Sequence, residues 1–208
     1  MLETFIVSFT TFFATIAPFD VAAMFAALTS QANVKSRYKI ALKAVLISGG
    51  ILLSFALFGN FVLHALGISL AALKIAGGIL LLLIGIDMVF ARPSGGTSAT
   101  KEEVDEAIVS HDISVFPLAT PLIAGPGSMG AAILLMANAN DHYLDEIIII
   151  SALIIVLLIT LALLLLATRL QQYIKVTGMN VISRVMGVLL SALAVQFMID
   201  GILQSGLI

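Results

Sequence analysis

Two prolines lie in the middle of long apolar stretches of this sequence. Pro18 comes two residues before Asp20, and Pro126 stands between Gly125 and Gly127. Because proline lacks an N–H and suits the first position of a helix, each stretch is predicted to consist of two half-helices, the second beginning at its proline. The first N–H groups of such a half-helix are unpaired and carry partial positive charge. Two such ends near each other predict a binding site for an anionic group such as a carboxylate.

Acidic residues near these prolines are candidates for a second role. A carboxylate near the centre of a bilayer costs roughly 3 kcal/mol or more, so Asp20 needs a partner or a proton. Its position fits a cap on the new helix, a ligand for a substrate ammonium group, or a carrier of a coupling proton. Asp87, near the end of the third apolar stretch, is a second candidate for ion coupling, although from there a carboxylate can also reach the headgroup region.

A plain proline kink, filled by a neighbouring hydroxyl, is the alternative at either proline, since membrane helices tolerate such kinks. Two prolines at matching places, one flanked by glycines, favour a binding site instead. Thr120, ahead of the second proline, extends the irregular stretch. The predicted substrate-binding residues are Pro18, Phe19, Asp20, Thr120, Gly125, Pro126, Gly127 and Ser128.

The elements that carry these residues are apolar helices. Of the 208 residues, 61% are hydrophobic and only 11% are charged, against about a quarter charged in soluble domains. The apolar runs exceed the roughly 20 residues that a helix needs to cross a bilayer, and no period of the kind that membrane β-strands show is present. The sequence therefore predicts an all-α membrane protein in contact with the lipid bilayer. The six predicted spans are residues 4–28, 44–66, 70–91, 115–137, 147–168 and 185–203.

The distribution of basic residues predicts the orientation of these spans. Nine of the ten Lys and Arg residues fall between spans one and two, three and four, or five and six, and only Lys74 lies on the other side. Under the positive-inside rule, both termini are then outside and residues 92–114 form a cytoplasmic loop. The prediction is a multi-pass protein of the cytoplasmic (inner) membrane.

The two halves of the chain resemble each other. Residues 17–20 (APFD) align with 125–128 (GPGS) at an offset of 108, and residues 78–81 (GILL) align with 187–190 (GVLL) at an offset of 109. With three spans each, the halves would enter the membrane with opposite polarity, which is an inverted repeat of the kind common in secondary transporters. Chance similarity between apolar tracts is the alternative. The predicted division is a first three-helix repeat, a loop and a second, inverted repeat, at 1–91, 92–114 and 115–208.

Two segments resemble a known family. Residues 117–128 (PLATPLIAGPGS) resemble the signature of the MarC family of bacterial and archaeal inner-membrane proteins, and residues 76–87 (AGGILLLLIGID) resemble its third span. The resemblance covers the whole chain. It implies six spans in two inverted three-helix repeats and, for some members, transport of small neutral amino acids such as glycine and alanine. The two prolines add to this layout a break near the midplane in spans one and four.

The first-repeat motif departs from the pattern of that family. Members usually show Asn-Pro, an aliphatic residue and Gly, with another proline further on, whereas here Ala17 replaces the Asn, Asp20 replaces the Gly and no second proline follows. An added acid beside the presumed site makes a cationic substrate or proton coupling more plausible.

These observations predict a secondary transporter of small solutes, with small amino acids as the expected substrates and proton or ion coupling as an option. A membrane channel and a non-transporting assembly or regulatory subunit are the alternatives. An enzyme is not expected, because no P-loop, nucleophile elbow or HExxH motif occurs. The absence of cysteine excludes thiolate chemistry. No metal or cofactor is expected, nor is nucleic acid at a net charge of -2, and a homo-oligomer is compatible with the sequence.

Overall fold

The computed structural model describes residues 1–29, 32–90, 112–139, 142–173 and 176–206. The regular structure of these residues is helical. The helices are α1 Leu2–Ile16, α2 Pro18–Leu28, α3 Val34–Ala65, α4 Leu70–Phe90, α5 Ser114–Ile123, α6 Pro126–Asn138, α7 Tyr143–Tyr173 and α8 Val176–Gln204.

Among the described residues, five helical stretches are long and apolar enough to cross a membrane, with α1 and most of α2 counted together as one of them. A sixth is added if α5 and α6, which meet at a bend of 52°, are counted as one span. The prediction of an all-helical, multi-span membrane protein is confirmed.

Several helices are longer than the predicted spans. The second predicted span starts at residue 44, but α3 begins at Val34, and α8 begins at Val176 rather than near residue 185. The prediction followed the apolar run, whereas backbone hydrogen bonding continues past the edge of the hydrocarbon into basic sequence such as that of Lys35 to Lys43. Of the predicted loop 92–114, residues 92–111 lie outside the described residues, and Ser114 already opens α5.

The two halves of the chain pack into each other rather than side by side. In the described helices, α2 of the first half packs against α7 of the second, and α6 of the second half packs against α3 of the first. At the second contact, Gly59 of α3 faces the side chain of Ile133, and a Cβ at Gly59 would lie 2.7 Å from it. Each half therefore completes the core of the other.

Among the described helices, α4 and α8 make the most extensive contact. The two helices run antiparallel, because Gly78 faces Ala194 while Gly85 faces Gly187. A Cβ at Gly78 would lie 2.7 Å from the carbonyl oxygen of Ala194, and one at Gly187 would lie 2.8 Å from that of Gly85. Glycine is needed at these positions for the close approach of the two backbones.

Apolar side chains fill the interior and also cover much of the outside. Phe12, Leu118 and Leu134 are completely buried, whereas Phe58 and Val188 are largely exposed on the outside of α3 and α8. Exposed apolar surface on this scale would be unfavourable in water but suits contact with lipid chains.

Candidate functional site

The first proline marks an interruption between α1 and α2. Ala17 has left-handed backbone angles, φ 49° and ψ 62°, and its N–H donates to the carbonyl of Phe13 at 3.1 Å. Pro18 then opens α2. The carbonyl oxygen of Ala17 accepts from the N–H groups of Asp20 (2.9 Å) and Val21 (3.1 Å). The expectation that the first N–H groups of α2 are unpaired is therefore wrong for Asp20, because the left-handed turn brings its amide to that carbonyl.

Phe19 bridges this interruption through its ring. Its centroid lies 6.1 Å from that of Phe13, in an edge-to-face arrangement, and Phe13 in turn stacks on Phe9. Such pairs add to the stability that burial provides. The ring of Phe19, predicted to bind substrate, here helps to fix the direction in which α2 leaves α1.

The second proline follows an interruption organised by Ser128. The Ser128 hydroxyl accepts from the N–H of Gly125 at 3.0 Å and donates towards the carbonyl oxygens of Ile123 (2.8 Å) and Gly125 (3.1 Å). Ser128 is only 1% exposed. Within the described part of the chain, the backbone N–H groups of Gly127 and Ser128 have no hydrogen-bond partner. They form the bare, partly positive N-terminus of α6, a geometry suited to a carboxylate.

The segment ahead of this interruption is irregular. In α5, Phe116 (φ −128°, ψ 127°) and Thr120 (φ −131°, ψ 130°) have extended rather than helical angles, and prolines occupy positions 117 and 121. The Thr120 hydroxyl donates to the carbonyl of Val115 at 3.4 Å. Thr120 thus belongs to the irregular stretch, as predicted, but it makes no described contact with Ser128.

The packing makes the two interrupted helix pairs cross each other. Among the described helices, α1 packs against α6 and α2 packs against α5. The first helix of each interrupted pair therefore contacts the second helix of the other pair. The residues around this crossing range from buried to open. Pro18, Gly125, Gly127 and Ser128 are buried, Phe19, Asp20 and Thr120 are half-buried, and Pro126 is exposed.

Asp87 does not join this group. It is half-buried, one turn before the end of α4, whose main partner is α8. No described contact connects Asp87 with either interruption.

A polar cavity lies at one end of the helix bundle, between the start of α1, the end of α6 and the start of α7. It has a volume of about 240 Å³. The Thr4 hydroxyl there donates to the carboxylate of Asp145 at 2.9 Å and links α1 to α7. We call it the α1–α6–α7 cavity; its lining residues are Glu3, Thr4, Val7, Ser8, Leu135, Asn138, Ala139, Asp145 and Ile149.

A second cavity, of about 120 Å³, lies at the other end, between α2, α3 and α7. Arg37 lines it and donates from Nε to the carbonyl oxygen of Thr29 at 2.9 Å. On α7 the two cavities touch Ile149 and Leu165, which a helical rise of 1.5 Å per residue separates by about 24 Å. The crossing of the interrupted spans lies between them.

A row of hydroxyl side chains on α1 was missed by the sequence reasoning. Thr4, Ser8, Thr11 and Thr15 follow one another at spacings of four, three and four, which puts them on one helix face. Ser8, Thr11 and Thr15 are buried. This face leads from the α1–α6–α7 cavity towards the interruption at Ala17. The four-three-four spacing is present in the sequence, but it was not recognised because the segment as a whole is apolar.

One ion pair ties the start of α5 to α3. Lys43 and the Ser114 hydroxyl both donate to the carboxylate of Asp112. Lys43 foremost, and then the Ser114 hydroxyl, hold the pKa of the Asp112 carboxyl below its usual range. Both members of the pair are about half exposed, so the contribution to stability is small. Within the described ranges, no group of three His, Cys, Asp or Glu side chains could hold a metal ion.

The amino-acid sequence matches one family of known proteins. Residues 2–205 match the family model described as MarC family integral membrane protein. Among relatives, the chain is 42% identical over 201 residues to a UPF0056 membrane protein of Methanocaldococcus jannaschii, covering 97% of each chain. It is 34% identical to a UPF0056 membrane protein of Archaeoglobus fulgidus, over 98% of this chain and 94% of that one. An Escherichia coli K12 relative of the same description is 35% identical, over 91% and 87% of the two chains. No solved structure matches the chain.

Proposed function

This chain belongs to the MarC family of integral membrane proteins, and we propose that it is a secondary transporter that carries small amino acids, or solutes like them, across the cytoplasmic membrane. The observation that carries the proposal is the crossing of two interrupted spans, at which the buried N-terminus of α6 presents the bare N–H groups of Gly127 and Ser128. Broken helices that meet inside a bilayer are the usual solute site of secondary transporters.

The proposed architecture is a pair of inverted three-helix repeats, residues 1–91 and 115–208, joined by a cytoplasmic loop. Contacts in the α4–α8 pair support it. Gly78 faces the carbonyl of Ala194 and the amide of Met198, and Gly187 faces the carbonyl of Gly85 and the amide of Val89. Gly78 and Gly187, Gly85 and Ala194, and Val89 and Met198 are each 109 positions apart, which is the offset predicted from the sequence. A twofold relation between antiparallel helices produces this pattern.

In the proposed site the solute carboxylate accepts hydrogen bonds from the N–H groups of Gly127 and Ser128, where the partial charge of the α6 terminus favours an anion. Asp20, in the first turn of α2, holds the solute ammonium group or a coupling proton. Since the N–H of Asp20 is already paired with Ala17, α2 offers fewer free amides than α6, and its main contribution is the carboxylate of Asp20. The two broken spans thus have different tasks.

Access to this site alternates between the two sides of the membrane. The α1–α6–α7 cavity and the smaller cavity at Arg37 lie at opposite ends of α7, and their separation of about 24 Å along the helix is close to the roughly 30 Å thickness of bilayer hydrocarbon. In the proposed mechanism, one cavity is the entrance in the outward-open state and the other is the entrance in the inward-open state. In the proposed orientation, which the bias of basic residues favours, the Arg37 end lies in the cytoplasm and both termini lie outside.

Asp87 lies away from the proposed solute site. Asp87, near the cytoplasmic end of α4, is a secondary candidate for ion coupling. The protein is not an enzyme, requires no cofactor, and can act in the bilayer alone or as a homo-oligomer.

Counterflow of radiolabelled glycine and alanine in proteoliposomes tests the function. We expect saturable exchange, with a loss of about tenfold or more in Asp20→Asn, because that change removes the charge facing the ammonium group or proton. Asp200→Asn is the matched control, since Asp200 pairs with Gln196 in α8, away from the crossing. Flux without saturation or counterflow would indicate a channel. No flux for any small solute, with Asp20→Asn indistinguishable from the parent protein, would indicate a non-transporting subunit.

A further inference from the structure

The α1–α6–α7 cavity has features that a passage for neutral solutes does not require. Its polar lining includes the carboxylates of Glu3 and Asp145, the amide of Asn138 and the hydroxyls of Thr4 and Ser8. No Lys or Arg is among the lining residues. With two acids and no base, the cavity favours a cation over an anion.

Ser8 gives an independent indication that something binds there. It lines the cavity and is 1% exposed, and its Oγ has no hydrogen-bond partner among the described residues. Its neighbours on the same helix face behave differently: Thr11 donates to the carbonyl of Val7 and Thr15 to that of Thr11. A buried hydroxyl without a partner is costly, so such groups usually serve a ligand or bound water.

The size and geometry of the cavity restrict what fits. Its volume of about 240 Å³ lies below the roughly 300–1,000 Å³ of pockets for drug-sized molecules. A primary ammonium group has three N–H donors and no acceptor. Asp145, which accepts one bond from Thr4, retains acceptor capacity, and the oxygens of Ser8 and Asn138 add two further acceptors.

We propose that this cavity is a second binding site, separate from the crossing of the broken spans, for the ammonium end of a small amine or amino acid. The inference rests on the proposed function, in which the α1–α6–α7 cavity is the first site that binds a solute arriving from outside. Asp145 supplies the charge and Ser8 the hydrogen bond, and the hydroxyl face of α1 then leads to the interruption at Ala17.

Binding of radiolabelled methylamine to the full-length protein in nanodiscs tests the site, because methylamine carries the ammonium group without a carboxylate. The measurement is made in an Asp20→Asn background, so that any amine site at the crossing is removed. We expect saturable binding that acetate does not displace and that Asp145→Asn weakens about tenfold or more, as for a lost charged hydrogen bond. The Asn side chain can still accept from Thr4, so the link between α1 and α7 is kept.

Two further variants separate a ligand site from a surface-charge effect. Asp200→Asn removes the same charge outside the cavity and is expected to leave binding unchanged. Ser8→Ala is expected to weaken methylamine binding about threefold or more without lowering the melting temperature of the ligand-free protein, because it removes an unsatisfied hydroxyl. A fall in that melting temperature would mean a structural serine and would contradict the assignment.

The outcomes also distinguish this site from the transport function. Methylamine binding that depends on Asp145 in a protein without flux would overturn the proposed function but keep the site. Flux with no saturable methylamine binding, or with equal binding in the Asp145→Asn protein, would overturn the site alone.

Discussion

Gly78 and Gly187 occupy equivalent places in the α4–α8 contact, each against a carbonyl oxygen of the opposite helix, although they lie 109 positions apart in the chain. The same offset relates the carbonyl that Gly187 meets, in Gly85, to the one that Gly78 meets, in Ala194. The surroundings of the two glycines are therefore equivalent, and the same substitution at Gly78 or Gly187 should change the stability of the protein by a similar amount.

Gly78→Ala and Gly187→Ala are each expected to lower the free energy of unfolding by about 1–3 kcal/mol, because the new methyl group would meet backbone that must shift. The two losses should agree closely in thermal unfolding in detergent. Gly50→Ala is the control, since a Cβ there meets nothing within 4 Å, and it should be neutral or stabilising. Very unequal losses at the two sites would contradict the equivalence.

Ser128→Ala removes the hydroxyl that bonds the N–H of Gly125 and the carbonyl of Ile123. We expect a loss of about 1–2 kcal/mol in stability, as for other side-chain hydrogen bonds that cap a helix N-terminus, together with a fall in glycine counterflow because the start of α6 is no longer held in place. Ser54→Ala is the matched control: Ser54 is exposed and its hydroxyl donates to the carbonyl of Gly50 in its own helix. Counterflow unchanged by Ser128→Ala would argue against a site at α6.

Ala17→Gly is expected to raise the free energy of unfolding by up to about 1 kcal/mol, because a left-handed alanine costs roughly 1–2 kcal/mol that glycine avoids, partly offset by the greater freedom of glycine in the unfolded chain. Ala76→Gly, in the exposed middle of α4, should lower it instead. Thermal unfolding compares the two. Equal destabilisation by both would contradict the backbone angles of Ala17.

Lys43→Gln is expected to lower stability at pH 7 by at most about 1 kcal/mol, because the pair with Asp112 is half exposed. The pKa of Asp112 is lowered in the folded protein, so the contribution is present above the pKa of the unfolded carboxyl, about 3.9, and is lost as pH falls through the folded value. The difference between the two proteins should therefore vanish in unfolding measurements at low pH. A difference that persists there would have a cause other than the ion pair.

The sequence predicted the parts of the fold that depend on local chemistry. Pro18 and Pro126 both begin helices, as expected from a residue that lacks an N–H and has a fixed φ. The detail around them was less predictable. Only the angles of Ala17 reveal that the amide of Asp20 is already paired, and only the packing of α1 on α6 and α7 turns Ser8 and Asp145 into neighbours of one cavity. The pairing at Ala17 depends on an unusual backbone conformation, and the cavity joins residues far apart in the chain, and local preferences predict neither.

The α4–α8 pair has a consequence for how such a chain could have arisen. It joins the last helix of each half through a glycine-lined face that either half alone would leave to the lipid. Under the inverted repeat proposed above, a single half would need a second copy, inserted the other way up, to cover that face. A short ancestral gene whose product entered the membrane in both directions would meet this requirement as a dimer, and fusing two copies would make the pairing permanent.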